Sequence, residues 1–265
     1  MASFYDLTIG QHIEFLRILT GAGLSAEDGK LVIDDPSQAR KMINALHEPP
    51  HYPLPAWYVQ PSQQIERVKE FLANYGGSNG FTPADIPSVP TNFVPRTPTD
   101  VLMLAVYLPN SRTKGITRTF ESWWDFVKTP TGYSKWRWDQ LKSDSKHLRL
   151  LEGIEHRPGI RWVAFDPNAN HGKSPQSCWD NPDVAPTLAG PEVLMALAHF
   201  PMWAASWNGN KSPYSNMAGY QFKWETAWCD CPYVNRRDDD RQLKLNARSA
   251  VNANDRWASP SVREC

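Results

Sequence analysis

The segment at residues 245–265, LNARSAVNANDRWASPSVREC, changes character halfway along and decides how the rest of the chain is interpreted. Its first part, LNARSAVNANDR at residues 245–256, mixes Asn, Ala, Ser, Val and Arg without a clear helical or strand period. Its second part, WASPSVREC at residues 257–265, starts with a bulky indole, and such side chains typically anchor a core. The contrast within one short segment needs an explanation that composition alone does not supply.

Composition excludes several classes of protein. The chain has 265 residues, with 28 Lys plus Arg against 28 Asp plus Glu, so it lacks the basic charge typical of nucleic-acid binding. No apolar run approaches the roughly 20 residues of a membrane span, and the first residues do not resemble a signal peptide. The four cysteines are too few and too uneven for a disulfide framework or a zinc site. We therefore expect a cytoplasmic protein with no nucleic-acid partner, no membrane span, no cofactor and no metal.

The residue types that deviate most from average are proline and tryptophan, at 23 and 12, while glycine is only 15. Many prolines indicate long irregular segments, and many indoles indicate a core built on bulky anchors. Composition therefore predicts a loop-rich α+β fold.

The first part of the chain has the hydrophobic periodicity of helices. Apolar stripes predict helices over residues 9–19, 34–47 and 60–77, the last ended by a pair of glycines. Residues 78–97 then hold four prolines, which indicates a linker or a wrapping arm. We expect a helical N-terminal region over residues 1–95 and a second domain over residues 96–265.

The second part of the chain alternates short apolar runs with amphipathic stretches. The sequence predicts strands over residues 100–109 and 159–167 and helices over residues 119–127 and 190–200. After residue 207 it predicts only short strand-like pieces, at residues 220–224 and 241–245.

Several local patterns suggest chemistry but have simpler interpretations. NHGKS at residues 170–174 lacks the first glycine of a phosphate loop. His147 and His156 lack the His-Glu-x-x-His spacing of a zinc site, so we expect them to be solvated loop residues. The Cys-x-Cys at residues 229–231 has no activating base nearby in sequence, and RRDDDR at residues 236–241 is expected to be a solvated loop. We predict no catalytic residues.

Four segments carry a resemblance that composition does not. RWVAFDPNANHGKSP at residues 161–175, LAGPEVLMALAHFPMWAASW at 188–207, DRQLKL at 240–245 and RWASPSVREC at 256–265 resemble the variable proteins of diversity-generating retroelements. The resemblance implies a C-type-lectin-like fold, akin to that of formylglycine-generating enzymes, with additional N-terminal helices. In that family a reverse transcriptase copies a template repeat with errors at adenines, and the copy replaces the 3′ end of the gene. The implied function is a non-enzymatic ligand-binding protein whose partner is a macromolecule, most simply a protein.

The genetic code offers a check on this resemblance. Randomised adenines in an Asn codon that ends in a pyrimidine never yield Lys, Glu, Gln, Met or Trp. Residues 229–241 and residues 245–256 contain none of these five types, and they are bracketed by Trp228 and Trp257. The irregular stretch is then the diversified surface, and WASPSVREC its fixed flank.

The resemblance assigns variable positions and fixed anchors within these windows. Alanines at every third residue from Ala247 to Ala253 are expected to seat the segment against the core. Tryptophans 224, 228 and 257 are expected to be buried anchors. The candidate ligand-binding residues, which should converge on one exposed patch, are Cys229, Asp230, Cys231, Asn235, Arg237, Asn246, Arg248, Ser249, Val251, Asn252 and Asn254.

Two alternatives remain from the sequence. One is an oxidoreductase related to formylglycine-generating enzymes, although the spacing of Cys229 and Cys231 is too short for the cysteine pair of that family. The other is a purely structural scaffold. The Glu-Pro-Asn and Trp-Asn-Asp signatures of calcium-dependent sugar lectins are absent from the sequence, so calcium and glycan binding are not implied.

Overall fold

A computed structural model describes residues 52–76, 80–109, 117–129, 132–141, 146–208, 213–237, 239 and 241–265. These residues form an α+β fold, as composition predicts, with five α-helices and ten strands. The helices are α1 (Pro61–Tyr75), α2 (Thr117–Phe126), α3 (Pro175–Trp179), α4 (Glu192–His199) and α5 (Pro201–Ser206). The strands are β1 (Val101–Tyr107), β2 (Ser134–Arg137), β3 (Leu148–Leu150), β4 (Gly159–Asp166), β5 (Tyr214–Asn216), β6 (Tyr220–Trp224), β7 (Ala227–Arg237), β8 (Gln242–Ser249), β9 (Trp257–Ala258) and β10 (Ser261–Glu264).

The elements with strong hydrophobic patterns are confirmed. Helices α1, α2 and α4 and strands β1 and β4 lie where the sequence predicts them, within one or two residues at most ends. Helix α1 buries Val68, Phe71 and Leu72 of its predicted stripe and ends at Gly76, whose backbone N–H donates to the carbonyl of residue 72. The helices predicted over residues 9–19 and 34–47 lie outside the described residues.

A three-stranded antiparallel sheet in the order β1-β4-β10 has a fully buried edge strand. Buried backbone groups at a free sheet edge need hydrogen-bond partners, and side chains provide them here. The amide of Gln64 donates to the carbonyl of Leu102 at 3.0 Å and accepts from the N–H of Leu104 at 3.0 Å. The ring nitrogen Nε2 of His199 donates to the carbonyl of Leu104 at 2.8 Å. These contacts cover the edge and fix α1 and α4 against β1.

The larger sheet has seven strands and is built around β7. Strand β7 pairs with β8 on one side and with β5 and β6 on the other, all antiparallel. Strand β2 adds to β8 and β9 adds to β5 in parallel orientation, while β3 extends β6. Strand β7 therefore has hydrogen-bonded neighbouring strands along both of its edges.

The end of the chain joins the two sheets. Strand β9 belongs to the larger sheet, and β10 completes the smaller sheet beside β4 only three residues later. Between them Ser259 is fully buried, accepting from the side-chain amides of Asn170 at 3.1 Å and Asn216 at 3.2 Å. The segment WASPSVREC is therefore a structural junction between the two sheets.

The irregular part of the tail differs from its prediction. Residues 245–249, in which the sequence shows no clear strand period, continue β8, because their side chains alternate across the sheet and the register with β7 is unbroken. Ala247 and Ala250 contact the core as expected, but Ala253 is exposed. The spacing of alanines at every third residue therefore does not predict which residues of this segment contact the core.

Aromatic side chains dominate the core, as the high tryptophan content predicts. The largest fully buried side chains include Trp123, Trp203 and Trp207. The ring of Phe71 in α1 stacks on Trp123 in α2 at 4.0 Å between ring centroids, which links these two helices. Burying a ring of this size provides a large hydrophobic contribution.

Residues 52–76 and 80–95 belong to the same compact unit as the strands that follow them. Residues 51–265 cluster together by their contacts, and α1 packs on β1. The division at residues 95 and 96 stays a prediction. Among the described residues, no helix is long and apolar enough to cross a membrane.

Candidate ligand-binding face of the larger sheet

The register of β7 and β8 sorts their side chains onto two faces. Directly opposed residues of an antiparallel pair point to the same face, and successive residues point to opposite faces. Val234 opposes Leu245, and both are buried in the main core, so their face is the inner one. We define the outer face by the residues on the other side, namely Trp136 of β2, Cys231, Tyr233, Asn235 and Arg237 of β7, and Gln242, Lys244, Asn246 and Arg248 of β8.

The register places five of the eleven candidate ligand-binding residues on the outer face: Cys231, Asn235, Arg237, Asn246 and Arg248. Cys229 is exposed and precedes this register, at a bulge of β7 against β6. Three more, Val251, Asn252 and Asn254, lie in the exposed turn that follows β8. The remaining two, Asp230 and Ser249, oppose each other with inner-face parity at the end of the ladder, where both are only half-buried.

Cys231 is a correction to the predicted patch. Its side chain is fully buried in a small cluster that includes Cys178 of α3 and Ala250. Helix α3 covers this end of the outer face, where the backbone N–H of Gln176 donates to the carbonyl of Ala250 at 2.9 Å. The expectation that Cys231 is exposed is therefore wrong, although the residue lies on the expected face.

Trp257 packs against two side chains in the middle of the outer face. Its ring packs edge-on against Tyr233 at 4.7 Å, and the guanidinium of Arg248 lies 4.0 Å from its ring centroid. Arg248 also donates to Oδ1 of the buried Asn216 at 3.3 Å. Burial lowers the pKa of Arg248, an effect opposed by the neighbouring Cys231 and Tyr233. These contacts hold Arg248 in one place, so it is a fixed feature of the face.

The opposite end of the outer face is open to solvent. Trp136 is 39 % exposed, and the Lys244 ammonium lies 5.7 Å from its ring centroid. Asn235 and Asn246 are half-buried beside them, and Arg237 is exposed and paired with Asp239. An aromatic ring, two amides and two basic groups form an adaptable set of the kind that recognition surfaces use.

The inner face holds the backbone beneath this surface in place. Leu243 and Leu245 of β8 are fully buried. Arg236 of β7 reaches inward, and its guanidinium donates to the carbonyls of Ala204 and Ala205 at the end of α5. A residue on the outer face can therefore change without removing the contacts that position its strand.

The three tryptophans predicted to be anchors behave differently from one another. Trp257 is 9 % exposed and is buried as predicted. Trp224, at the end of β6, is 44 % exposed, so the prediction is wrong for this residue. Trp228 is half-buried beneath the guanidinium of Arg149, which lies 4.3 Å from its ring centroid. The reason is position: β6 and β7 meet at a hairpin end, where the sheet extends beyond the core.

The cysteines of β7 do not form a reactive pair. Burial raises the pKa of the Cys231 thiol, and burial together with Asp230 raises the pKa of the exposed Cys229 thiol. A thiol with a raised pKa carries little of the nucleophilic thiolate at neutral pH. In the part of the chain that the structure describes, no group of three or more His, Cys, Asp and Glu side chains is arranged to hold a metal ion.

Sequence reasoning missed a buried polar cluster elsewhere in the molecule. His156, predicted to be a solvated loop residue, has a side chain only 12 % exposed and lies 3.1 Å from the fully buried carboxylate of Glu192. The prediction for His156 is wrong because its partner is 36 positions away in the chain. The available signal was Glu192 itself, a charged residue in the otherwise apolar sequence PEVLMALA.

Comparisons of the chain with protein-family models, with curated proteins and with solved structures found no match.

Proposed function

We propose that this protein is a non-enzymatic binding protein that recognises a macromolecular ligand, most simply a protein, through the outer face and the turn at residues 251–256. The observation that carries the proposal is the shared location of the candidates. Five of the eleven lie on one face of β7 and β8, and three more lie in the exposed turn that follows β8. These positions come from two separate windows of the sequence, and the pairing of β7 with β8 brings them together.

The arrangement also separates recognition from stability. Inner-face residues such as Val234 and Leu245 are fully buried, whereas outer-face residues such as Asn235 and Asn246 are half-buried. A β-sheet with one face in the core keeps its backbone when residues on the other face change. This property is what repeated diversification of a binding surface requires.

We further propose that the fold from residue 96 onward is C-type-lectin-like and that a retroelement diversifies the outer face. The support for both is the resemblance of the tail and the absence of Lys, Glu, Gln, Met and Trp from residues 229–241 and 245–256. A face spread over two strands and a turn offers more contact area than one loop. Specific protein partners need roughly 800 Å² on each side.

The DNA beside the gene provides the decisive test. We expect a template repeat that differs from the 3′ end of the gene only at adenines, next to a reverse transcriptase gene. The differing codons should include those of Arg237 and Val251. The Asn codons at 235, 246 and 252 should keep the template adenines, and the codons of Trp257 and Ser259 should be identical. Adenine differences concentrated in codons for the inner face, or no repeat at all, would refute retroelement diversification.

A protein-level test addresses binding without the template. A display library randomised at Asn235, Asn246, Asn252 and Asn254 should retain folded members and yield binders to unrelated target proteins. A control library randomised at Val234 and Leu245, which are fully buried, should lose folded protein. Equal loss of folding in both libraries would show that the outer face is structural and not a recognition surface.

A further inference from the structure

A cleft of about 530 Å³ lies away from the outer face, at the end of the three-stranded sheet. Its walls come from β1, β4 and β10, from the loop around residues 153–157 and from the segment that leads into α4. None of the eleven candidate residues lines it. Small-molecule sites in proteins typically enclose roughly 300–1,000 Å³, so the cleft has a suitable size.

The polar end of the cleft is organised around the carboxylate of Glu192. One oxygen, Oε1, accepts from the Tyr107 hydroxyl at 2.6 Å and lies 3.1 Å from Nε2 of His156. The other, Oε2, accepts from the backbone N–H of Gly190 at 2.7 Å. Burial alone raises the pKa of Glu192, but the contacts with His156 and Tyr107 lower it to about 2, so the carboxylate is ionised.

Arg161 supplies positive charge beside this cluster. Its guanidinium lies 4.1 Å from the ring centroid of Tyr107 and donates to the carbonyl of Arg157 at 3.1 Å, so its position is fixed from two sides. Its ion pair with Glu264, at 3.4 Å, involves a carboxylate that is 79 % exposed. Exposed ion pairs contribute little and exchange readily. A ligand carboxylate can therefore replace Glu264 on a guanidinium that is already oriented.

Part of the remaining wall is apolar, formed by Ile154, Val163, Leu188 and Val262, while the charged side chains of Glu155, Arg157 and Arg263 complete it. The apolar patch fits a short hydrocarbon body, and the guanidinium of Arg161 fits one carboxylate. A dianionic phosphate would bring a second negative charge beside the ionised Glu192.

We propose that this cleft is a binding site for a small organic carboxylate, held by Arg161, with His156, Glu192 and Tyr107 as positioning residues. The ligand's hydrocarbon body lies against the apolar patch, and its carboxylate displaces Glu264 from Arg161. The site is independent of the macromolecular recognition proposed for the outer face.

Titration calorimetry on the full chain at pH 7 tests this site with three probes that share one hydrocarbon body: hexanoate, hexanol and hexyl phosphate. We expect hexanoate to bind, and hexanol and hexyl phosphate to bind at least about 10-fold more weakly, since a charge-assisted pair with Arg contributes at least this factor. No heat with hexanoate overturns the proposal. Tighter binding of hexanol or of hexyl phosphate overturns the assignment to a carboxylate.

Two variants and a matched control assign the contacts. Arg161→Gln should weaken hexanoate binding about 10-fold or more, and Glu264→Gln should tighten it, because a competing carboxylate is removed. Arg149→Gln is the control, since Arg149 also lies over an aromatic ring, at 4.3 Å from Trp228, but outside the cleft. Should Arg161→Gln fail to fold, Glu264→Gln decides: unchanged or weaker binding overturns the displacement of Glu264 and with it the proposal. An equal effect of Arg149→Gln and Arg161→Gln also overturns it.

Discussion

Acidification below pH 6.5 should destabilise this protein through the buried side chain of His199. Its ring is fully buried, with Nε2 donating to the Leu104 carbonyl at 2.8 Å and Nδ1 without a hydrogen-bond partner. Burial, opposed by the Leu104 hydrogen bond and assisted by the charge of Arg67, lowers the pKa of His199 from 6.5 to about 3. The folded state therefore holds a neutral imidazole at pH values where the unfolded chain holds a protonated one.

The size of the effect follows from proton linkage. Because the folded pKa lies below the unfolded one, the stabilisation is complete above pH 6.5 and is lost as the pH falls towards 3. Each pH unit in this window costs about 1.4 kcal/mol of unfolding free energy, so acidification from pH 6.5 to pH 4 costs about 3 kcal/mol. Domains are typically stable by only about 5–15 kcal/mol, so the loss is large.

Urea unfolding followed by tryptophan fluorescence measures this loss. All 12 tryptophans lie after residue 50, so the signal reports on the unit at residues 51–265. The comparison variant is His199→Gln, whose amide can donate to the Leu104 carbonyl but cannot titrate. The difference in unfolding free energy between wild type and variant should fall by about 3 kcal/mol from pH 6.5 to pH 4. A difference that stays constant with pH would refute the neutral, buried state of His199.

Three further predictions follow from the contacts. Because the pKa of Glu192 is lowered from 4.5 to about 2, the stabilisation by its carboxylate is present above pH 4.5 and is lost below it. Between pH 4.5 and 3 the wild type should lose about 2 kcal/mol of unfolding free energy relative to Glu192→Gln in urea unfolding. The same pH dependence of unfolding free energy in both proteins would contradict this. Trp257→Ala should cost about 3–5 kcal/mol in thermal or urea unfolding, and the exposed Trp224→Ala about 1 kcal/mol or less; the reverse order would contradict the burial of these rings. Asn252→Ser and Asn254→Ser, in the exposed turn, should each change stability by about 0.5 kcal/mol or less, and a larger loss would make the turn structural.

The elements that sequence predicts well are those whose local pattern and burial agree. The apolar run at residues 101–107 is a fully buried strand, and the stripe of α1 faces the core. Strand β8 is harder to predict from the sequence. Leu243, Leu245 and Ala247 alternate toward the core, but the polar and small residues between and after them are typical of a loop. Strand β7 is also difficult to predict, because it contains Pro232 and a proline normally argues against a central strand.

What sequence cannot predict here depends on partners distant in the chain. The alternation of β7 places Cys231 on the outer face, and only the packing of α3 across that face buries it. The pairing of His156 with Glu192 requires the loop before β4 to meet the start of α4. Neither contact leaves a local pattern, because each arises when separate elements are brought together by the core.

The proposed constancy of residues 257–264 has a physical basis that is independent of any template repeat. Trp257 supports Arg248 and Tyr233 of the outer face, and a few residues later β10 pairs with β4 and contributes Val262 and Glu264 to the cleft. A substitution in this segment therefore disturbs two sheets and two surfaces at once. The exposed turn at residues 251–256 has no such double role, since its side chains face solvent while Ala250 and Trp257 on either side are buried. Variation can accumulate between these two anchors because the anchors, and not the turn, determine where the chain runs.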